Sequence, residues 1–328
     1  MSLPDFSFST TADEVVAAFA DRITGKNVLV TGTSINGLGF ETARAIAKHA
    51  NLVIITGYNA ERLKLAEDAI KIEHPHANIK PLVLDLSSLA AVRAAAAEVN
   101  AYPEPLHVLI NNAAALIGPF KLTPDGLESQ MAINHFGHFL LTTLLAPKLL
   151  ASRTQNLTPR VVFLSSGAHA LSDVGGQALL DIIEHPSADT YDPGQGYYRS
   201  KVANILTTRE LAKRAKGALK AYSVHPGAIY TNIMEKEESR EYMQSMGILD
   251  ADGNRPSNPP WEFKTLGQGA ATTVVAAFDP RIEDKSGAYL SDCVEGNASL
   301  TSQASDPETA EKLWALTENL VGEPFVFP

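Results

Sequence analysis

Cysteine is nearly missing from this chain: Cys293 is the only one in 328 residues. No intrachain disulfide can form, and a reducing compartment is the expected home. Cations are also outnumbered, with 27 lysines and arginines against 37 acids and a formal net charge of -10. That balance disfavours nucleic acid or an anionic membrane surface as the main partner. Long hydrophobic runs are absent. The longest apolar stretch, Phe139 to Ala146, includes Thr142 and Thr143 and is too short to span a bilayer. The first ten residues carry no lysine, arginine or apolar core, so they do not read as a signal peptide. No metal-ligand spacing occurs either; His135 and His138 flank Asn134 but match no ligand set, and read as packing or surface residues. The expectation is a soluble, cytoplasmic protein without a metal centre. No internal repeat or long low-complexity linker divides it, so residues 1–328 read as one domain.

What is present is an alternation. Short β-branched runs at Asn27–Thr31, Leu52–Thr56, Lys80–Leu84, His107–Asn111, Arg160–Leu164 and Lys220–Val224 read as strands, with Ala288–Leu290 as a last candidate. Between them lie helical stretches at Gly39–His49, Asn59–Glu73, Ser87–Val99, from about Pro124 to Leu150, and Gln195–Lys216. Near-continuous apolar strands separated by amphipathic helices predict an α/β fold, a parallel sheet covered on both faces. The acidic run Glu235–Arg240 reads as a solvated face, and Cys293 as a small apolar filler.

Tyr197 and Lys201 are four residues apart, which on a helix places both on one face, one turn apart. A tyrosine has a reference pKa of about 10. A cation at roughly 4 Å, with an effective dielectric near 20, favours the phenolate by on the order of 4 kcal/mol before desolvation. The spacing therefore predicts a tyrosine drawn toward neutral pH, able to exchange a proton with an alcohol or carbonyl oxygen. Tyr198 has no lysine one turn on and drops out.

Between the first strand and its helix stands Thr31-Gly32-Thr-Ser-Ile-Asn-Gly37-Leu-Gly39. Glycines there let the backbone approach a pyrophosphate, and the helix start offers free N–H groups to the phosphates. The second strand ends in Thr56-Gly57-Tyr58-Asn59, without the acid that would bind adenosine ribose hydroxyls, and Arg62 and Lys64 follow. Room for a 2′-phosphate beside cations favours NADP(H) and leaves NAD(H) open.

With these two motifs at either end, the chain resembles the short-chain dehydrogenase/reductase family. Asp85-Leu86 matches the family's adenine-side aspartate. Asn111-Asn112-Ala113-Ala114 resembles its Asn-Asn-Ala-Gly stretch, with Ala114 in place of glycine. Asn134 falls where the family carries its active-site asparagine. Ser166, rather than Ser165, falls at the catalytic serine, and Pro226-Gly227 and Thr231 fall at the nicotinamide side. The resemblance implies a Rossmann-type doubly wound sheet of about seven strands, order 3-2-1-4-5-6-7. It also implies cofactor contacts along Gly32, Ser34, Asn36, Gly37, Leu38, Gly39, Tyr58, Arg62, Asp85, Leu86, Asn112, Ala113 and Ala114, with Tyr197, Lys201, Pro226, Gly227 and Thr231 at the far end.

One departure is the glycine turn, which holds four residues between Gly32 and Gly37 where the family has three. A turn one residue longer is expected, with Asn36 in the left-handed region that asparagine tolerates. An insertion at 168–196, the phrase Ser223-Val-His-Pro-Gly227 and the tail are similar to the retinol-dehydrogenase-like and WW-domain-oxidoreductase-like branch, although no WW domain is present. An N-terminal extension (1–24), a lid (232–263) and a C-terminal tail (295–328) complete the expected organisation. Ile233, Met234, Tyr242 and Met243 are expected pocket residues, and His169 is open between substrate contact and a loop role.

The implied chemistry interconverts a carbonyl and an alcohol on an apolar small molecule. Tyr197 is general acid or base and Ser166 binds the substrate oxygen. Lys201 lowers the Tyr197 pKa and binds ribose, and Asn134 holds a water leading to solvent. Family members are commonly homodimers or homotetramers, and the branch also contains monomers. Two alternatives stand beside this reading. A catalytically weak NADP(H)-binding redox sensor would keep the nucleotide site without useful turnover. A sugar-nucleotide epimerase or dehydratase shares Tyr-x-x-x-Lys but usually has two residues between its first two glycines and a larger C-terminal region.

Overall fold

The apolar runs become strands whose successive side chains are buried on opposite faces. In β1 (Asn27–Val30) Leu29 joins one core cluster while Val28 and Val30 join the other. Leu52 and Val53 divide in the same way in β2 (Leu52–Gly57). In β3 (Ile79–Val83) Pro81 sits mid-strand, which its place at the sheet edge permits, because only one side of that strand must donate to a ladder. The sheet continues with β4 (Val108–Asn111), β5 (Arg160–Leu164), β6 (Lys220–His225), β9 (Tyr289–Ser291) and β10 (Val294–Glu295). A separate pair, β7 (Ala228–Ile229) and β8 (Phe263–Lys264), stands apart from it. The computed structural model describes residues 3–231, 237–259 and 261–327.

The large sheet runs β10-β9-β6-β5-β4-β1-β2-β3 and is parallel throughout except at β9/β10. The expected order 3-2-1-4-5-6-7 is therefore present, with β9 as the seventh strand. The antiparallel β10 was not expected. It returns through Asp292 and Cys293, both left-handed at φ 51 and 67, as a two-residue hairpin turn of the primed kind requires.

Helices cover both faces. In chain order they are α1 (Ala12–Ala18), α2 (Ala20–Ile23), α3 (Leu38–Ala47), α4 (Ala60–Glu73), α5 (Leu89–Ala101), α6 (Ser129–Met131) and α7 (Gly137–Ala151). Then follow α8 (Gly176–Glu184), α9 (Pro193–Ala215), α10 (Glu237–Ser245), α11 (Leu266–Phe278), α12 (Ser302–Ser305) and α13 (Pro307–Val321). Helices α1 to α4 and α11 pack on the face of Val28 and Val30; α5 to α9, α12 and α13 pack on the face of Leu29.

The helix expected from about Pro124 begins later, at Ser129. A turn with Gly126 at φ 78 occupies 123–127, and the Glu128 carboxylate caps the helix by accepting from the Gln130 and Met131 N–H groups. Within it Ala132–Phe136 widen into a π turn, a local irregularity often found where a helix serves a site. Helix α9 starts at Pro193, two residues before the expected Gln195, because Asp192 caps it and proline suits the first helical position.

Candidate active site

Strand order reverses between β1 and β4, so their carboxyl ends open a crevice beneath the glycine turn. Thr31 organises it. Its hydroxyl oxygen accepts from the N–H groups of Asn112 (2.8 Å) and Ala113 (2.9 Å). The same hydroxyl pairs with His138 Nε2 at 2.8 Å, and His138 Nδ1 lies 3.2 Å from the Asn134 carbonyl oxygen. That carbonyl can only accept, so Nδ1 carries the proton and Thr31 donates to Nε2. His138, read from the sequence as packing or surface, is thus a buried bridge between the glycine turn and the π turn. Asn112 Nδ2 donates to the Thr31 and Gly32 carbonyls at 2.7 and 3.1 Å. Gly39 is required by this crowding: a Cβ there would sit 2.3 Å from Asn112 Nδ2 and 2.4 Å from the Gly32 oxygen.

The longer turn closes with Asn36 at φ 62, in the left-handed region expected of it. Helix α3 then begins at Leu38, with Gly37 at its N-cap and no side chain capping it. Helices α4, α5 and α9 are each capped, by Asn59, Ser88 and Asp192. The first-turn N–H groups of α3 therefore face the crevice unpaired by side chains, which suits a pyrophosphate.

At the other end, Tyr197 and Lys201 stand on one face of α9, with Lys201 Nζ 5.3 Å from the centroid of the Tyr197 ring. Lys201 Nζ donates to the Leu164 carbonyl at 3.1 Å, and Ser166, just past the end of β5, lines the same cavity as the Tyr197 phenol, its hydroxyl oxygen accepting from the Ala168 N–H at 3.1 Å. Ser165 points away from the cavity chemistry: its hydroxyl donates to the Lys201 carbonyl at 2.8 Å. The π turn buries Asn134 completely. Its Oδ1 accepts from Ala115 N–H at 2.7 Å, and its Nδ2 donates to the Ala115 carbonyl (3.1 Å) and Ser200 Oγ (2.9 Å). The water expected on this side chain finds both amide hydrogens committed.

Burial sets the charges here. It pushes the Tyr197 phenol up to about 12, against the smaller downward pull of the Ser166 hydrogen bond, and pushes Lys201 down to about 7. The expected lowering of Tyr197 by Lys201 is not what this structure gives: desolvation is the dominant effect on the phenol, and it also depresses Lys201. At neutral pH the phenol keeps its proton.

A cavity of about 1260 Å³ joins the two ends. Gly32, Ser34, Gly37, Leu38, Tyr58 and Arg62 line its first part, and Asp85, Leu86, Asn112, Ala113 and Ala114 its middle. Ser166, Tyr197, Lys201, Pro226, Gly227 and Thr231 line the far part. Asn36, Gly39 and Asn134 stand behind this wall and shape it. Lys64 is not at the wall; it pairs with Asp68 and Glu67, whereas Arg62 also borders a small adjoining cleft with Thr33, Ser34 and Asn59. Of the expected lid residues, Tyr242 and Met243 line the cavity, and Ile233 and Met234 lie outside the described residues. His169 is buried, with Nδ1 donating to the Ser166 carbonyl (2.8 Å) and its ring edge-on to Tyr289, so it supports the loop. Sequence reasoning missed Leu116, Ile117, Leu171, Tyr198, Ile248 and Trp261 at the apolar end, and Phe8 from the N-terminal extension. A motif search passes over such residues, because their apolar types look like core. Cys293 is buried against Thr272, as a filler would be.

The buried histidines give a test on the acid side. Burial pushes His138 down to about 3 and His135 to about 4, against about 6.5 in an unfolded chain. Below pH 6.5 the unfolded chain takes up protons that the folded one refuses. Stability is therefore full above 6.5 and falls as pH drops toward 4, each histidine contributing up to ~1.4 kcal/mol per pH unit. Urea midpoints between pH 7 and 4.5 should show this slope, and His138→Gln should make it shallower. An unchanged slope in that variant would remove His138 from the account.

The chain belongs to the short-chain dehydrogenase family. Residues 26–178 match the family model described as short chain dehydrogenase. Over 320 residues it is 36% identical to the short-chain dehydrogenase TIC 32 A, chloroplastic, of Brassica napus, covering 96% of this chain and 93% of that protein. It is 35% identical to mouse retinol dehydrogenase 12, over 92% of this chain and 88% of the relative. Human WW domain-containing oxidoreductase is 36% identical over 96% of this chain and 72% of its own length. Among solved structures, an uncharacterized protein of Mycobacterium Paratuberculosis aligns with a TM-score of 0.67 at 28% identity, covering 94% of this chain and 98% of that one. A short chain dehydrogenase of Escherichia coli CFT073, solved with NADPH, aligns at 0.61 and 22% identity, over 83% of this chain and 98% of that one, a likeness of fold alone. Among the described residues no helix is long and apolar enough to cross a membrane.

Proposed function

We propose that this oxidoreductase interconverts a carbonyl and an alcohol on an apolar small molecule, prefers NADP(H), and uses Tyr197 as its general acid and base. The observation that carries the reading is that Ser166, Tyr197 and Lys201 line one cavity together with the glycine turn and an apolar wall. The first turn of α3, uncapped by any side chain, and the close approach at Gly39 support the pyrophosphate end. When bound, the nicotinamide supplies the hydride. In reduction, the protonated Tyr197 would give its proton to the carbonyl oxygen. Ser166 holds that oxygen against the phenol. Lys201, anchored on the Leu164 carbonyl, fixes the ribose end and faces the phenol it helps to reprotonate. Asn134 acts through Ala115 and Ser200, keeping the cavity wall and α9 in register. The lone cysteine and acidic charge support a cytoplasmic setting.

Cofactor preference rests on Arg62. NADPH should bind more tightly than NADH, and Arg62→Ala should weaken NADPH about tenfold or more, the size of one charge-assisted hydrogen bond of about 2 kcal/mol. NADH affinity should change little. Fluorescence titration of both cofactors reads this directly, and a carbonyl panel with the preferred one reads the reaction. A wild-type preference for NADH would overturn the Arg62 assignment. Tight NADPH binding with no carbonyl or alcohol converted would favour the redox-sensor reading.

A further inference from the structure

Tyr198 is next to the proposed proton donor, yet nothing in the proton-transfer reading uses it. Its ring stands edge-on to that of Tyr197, centroids 6.2 Å apart, and it lines the cavity while 94% buried, its relative exposure being 6%. Its phenol meets the phenol of Tyr242 from α10 at 2.6 Å. Tyr242 reaches it through a notch at Gly194 in the first turn of α9: a Cβ there would lie 2.3 Å from the Tyr242 hydroxyl oxygen. A glycine at the start of a helix is poor for helix stability, so the notch serves the ring that fills it. The approach is further held by Ser239, whose hydroxyl donates to the Ile117 carbonyl at 2.7 Å, and by Tyr230, which donates to the Ile248 carbonyl at 2.7 Å.

Two phenols in contact have two hydrogens and one shared bond. Whichever donates, the other hydroxyl keeps a hydrogen with no acceptor among the described residues. The pair is half-buried and both rings line the cavity, so the spare hydrogen is available to a bound molecule, and burial holds the Tyr198 phenol in its protonated form. Around the pair the wall is apolar: Leu116, Ile117, Leu171, Met243 and Ile248. Beside Ser166 and Tyr197, the Tyr198/Tyr242 pair is therefore a further polar point in the lining.

The geometry points to a second recognition contact: the Tyr198/Tyr242 pair donates a hydrogen bond to an oxygen of the substrate other than the one that reacts. This inference rests on the function proposed above and narrows its substrate class. The substrate is an apolar carbonyl compound or alcohol bearing a second, non-reacting acceptor oxygen. Tyr198 and Tyr242 are then specificity-determining residues. A site that holds an unpaired donor discriminates against the analogue that lacks the acceptor more strongly than an apolar wall does.

The test compares 1-tetralone with 4-hydroxy-1-tetralone, which share the reacting ketone and differ in the second oxygen. Each is measured as Kd on the NADPH-loaded chain and as kcat/KM, for wild type, Tyr198→Phe and Tyr242→Phe. The hydroxylated ketone should be favoured in wild type, and the ratio between the two should fall about tenfold in each variant. A wild-type ratio near one overturns the contact, as does a ratio unchanged in both variants or failure of either ketone to bind. If both ketones bind and neither is turned over, the oxidoreductase reading fails while the Kd ratio still decides the contact.

Discussion

Tyr197→Phe should lower kcat for carbonyl reduction by about 10²–10⁴-fold, the range a positioned general acid supplies. The ring keeps its place on α9 between Lys201 and Tyr198, so packing survives and the melting temperature should move little. NADPH affinity should stay within a few-fold, because Tyr197 lines the far part of the cavity and not the phosphate turn. Single-turnover kinetics with saturating NADPH separates the effects: hydride transfer slows while cofactor binding does not. Turnover equal to wild type would falsify the role given to Tyr197. The pH profile adds a second check. With the phenol at about 12 and Lys201 at about 7, reduction should draw on a protonated Tyr197 across the neutral range. Any fall in rate around neutrality then belongs to Lys201.

The other large effect is expected at the opposite end of the cavity. Gly39→Ala adds one methyl group, and that group meets the Asn112 amide at 2.3 Å and the Gly32 carbonyl at 2.4 Å. Neither neighbour is free to retreat, since Asn112 donates to both the Thr31 and Gly32 carbonyls. Overpacking of this kind costs roughly 1–3 kcal/mol in stability. The larger consequence is for the cofactor. Pushing α3 away from the turn moves the N–H groups that would meet the pyrophosphate, and NADPH affinity should fall about a hundredfold. Gly267→Ala, where the added atom would be 3.5 Å from the Glu41 carboxylate in the first turn of α11, should be close to neutral and serves as the control. Equal NADPH affinity in Gly39→Ala and wild type would remove the crowding argument.

How much of this was legible in the sequence follows from how local each cause is. The strands from Asn27 to Val224 were readable because a buried parallel strand needs little beyond its own apolar residues. The glycine turn and the Tyr197/Lys201 spacing were readable because each is a short-range geometric demand, and even the left-handed Asn36 followed from counting residues in the turn. The helix start at Ser129 was misplaced because Glu128 decides it, by turning its carboxylate onto the backbone two and three residues later. The antiparallel β10 was missed because its turn uses Asp292 and Cys293 instead of a residue pair that signals a hairpin. The apolar end of the cavity was the least legible. Phe8, Ile117, Tyr198 and Trp261 line the cavity from four separate stretches of chain, and only the tertiary fold makes them one surface. The balance of charge was misjudged for a related reason: a spacing of four residues says that Lys201 is near Tyr197, but not how dry the site is.

The two margins of the sheet carry a consequence for assembly. On one side Pro81 deprives the outermost strand of a donor; on the other the chain folds back into a two-residue exposed ribbon, Val294–Glu295. Neither rim offers the long, regular template that strand-to-strand association needs. Copies of this chain that come together are thereby directed to meet helix against helix, and growth into an endless ribbon is closed off.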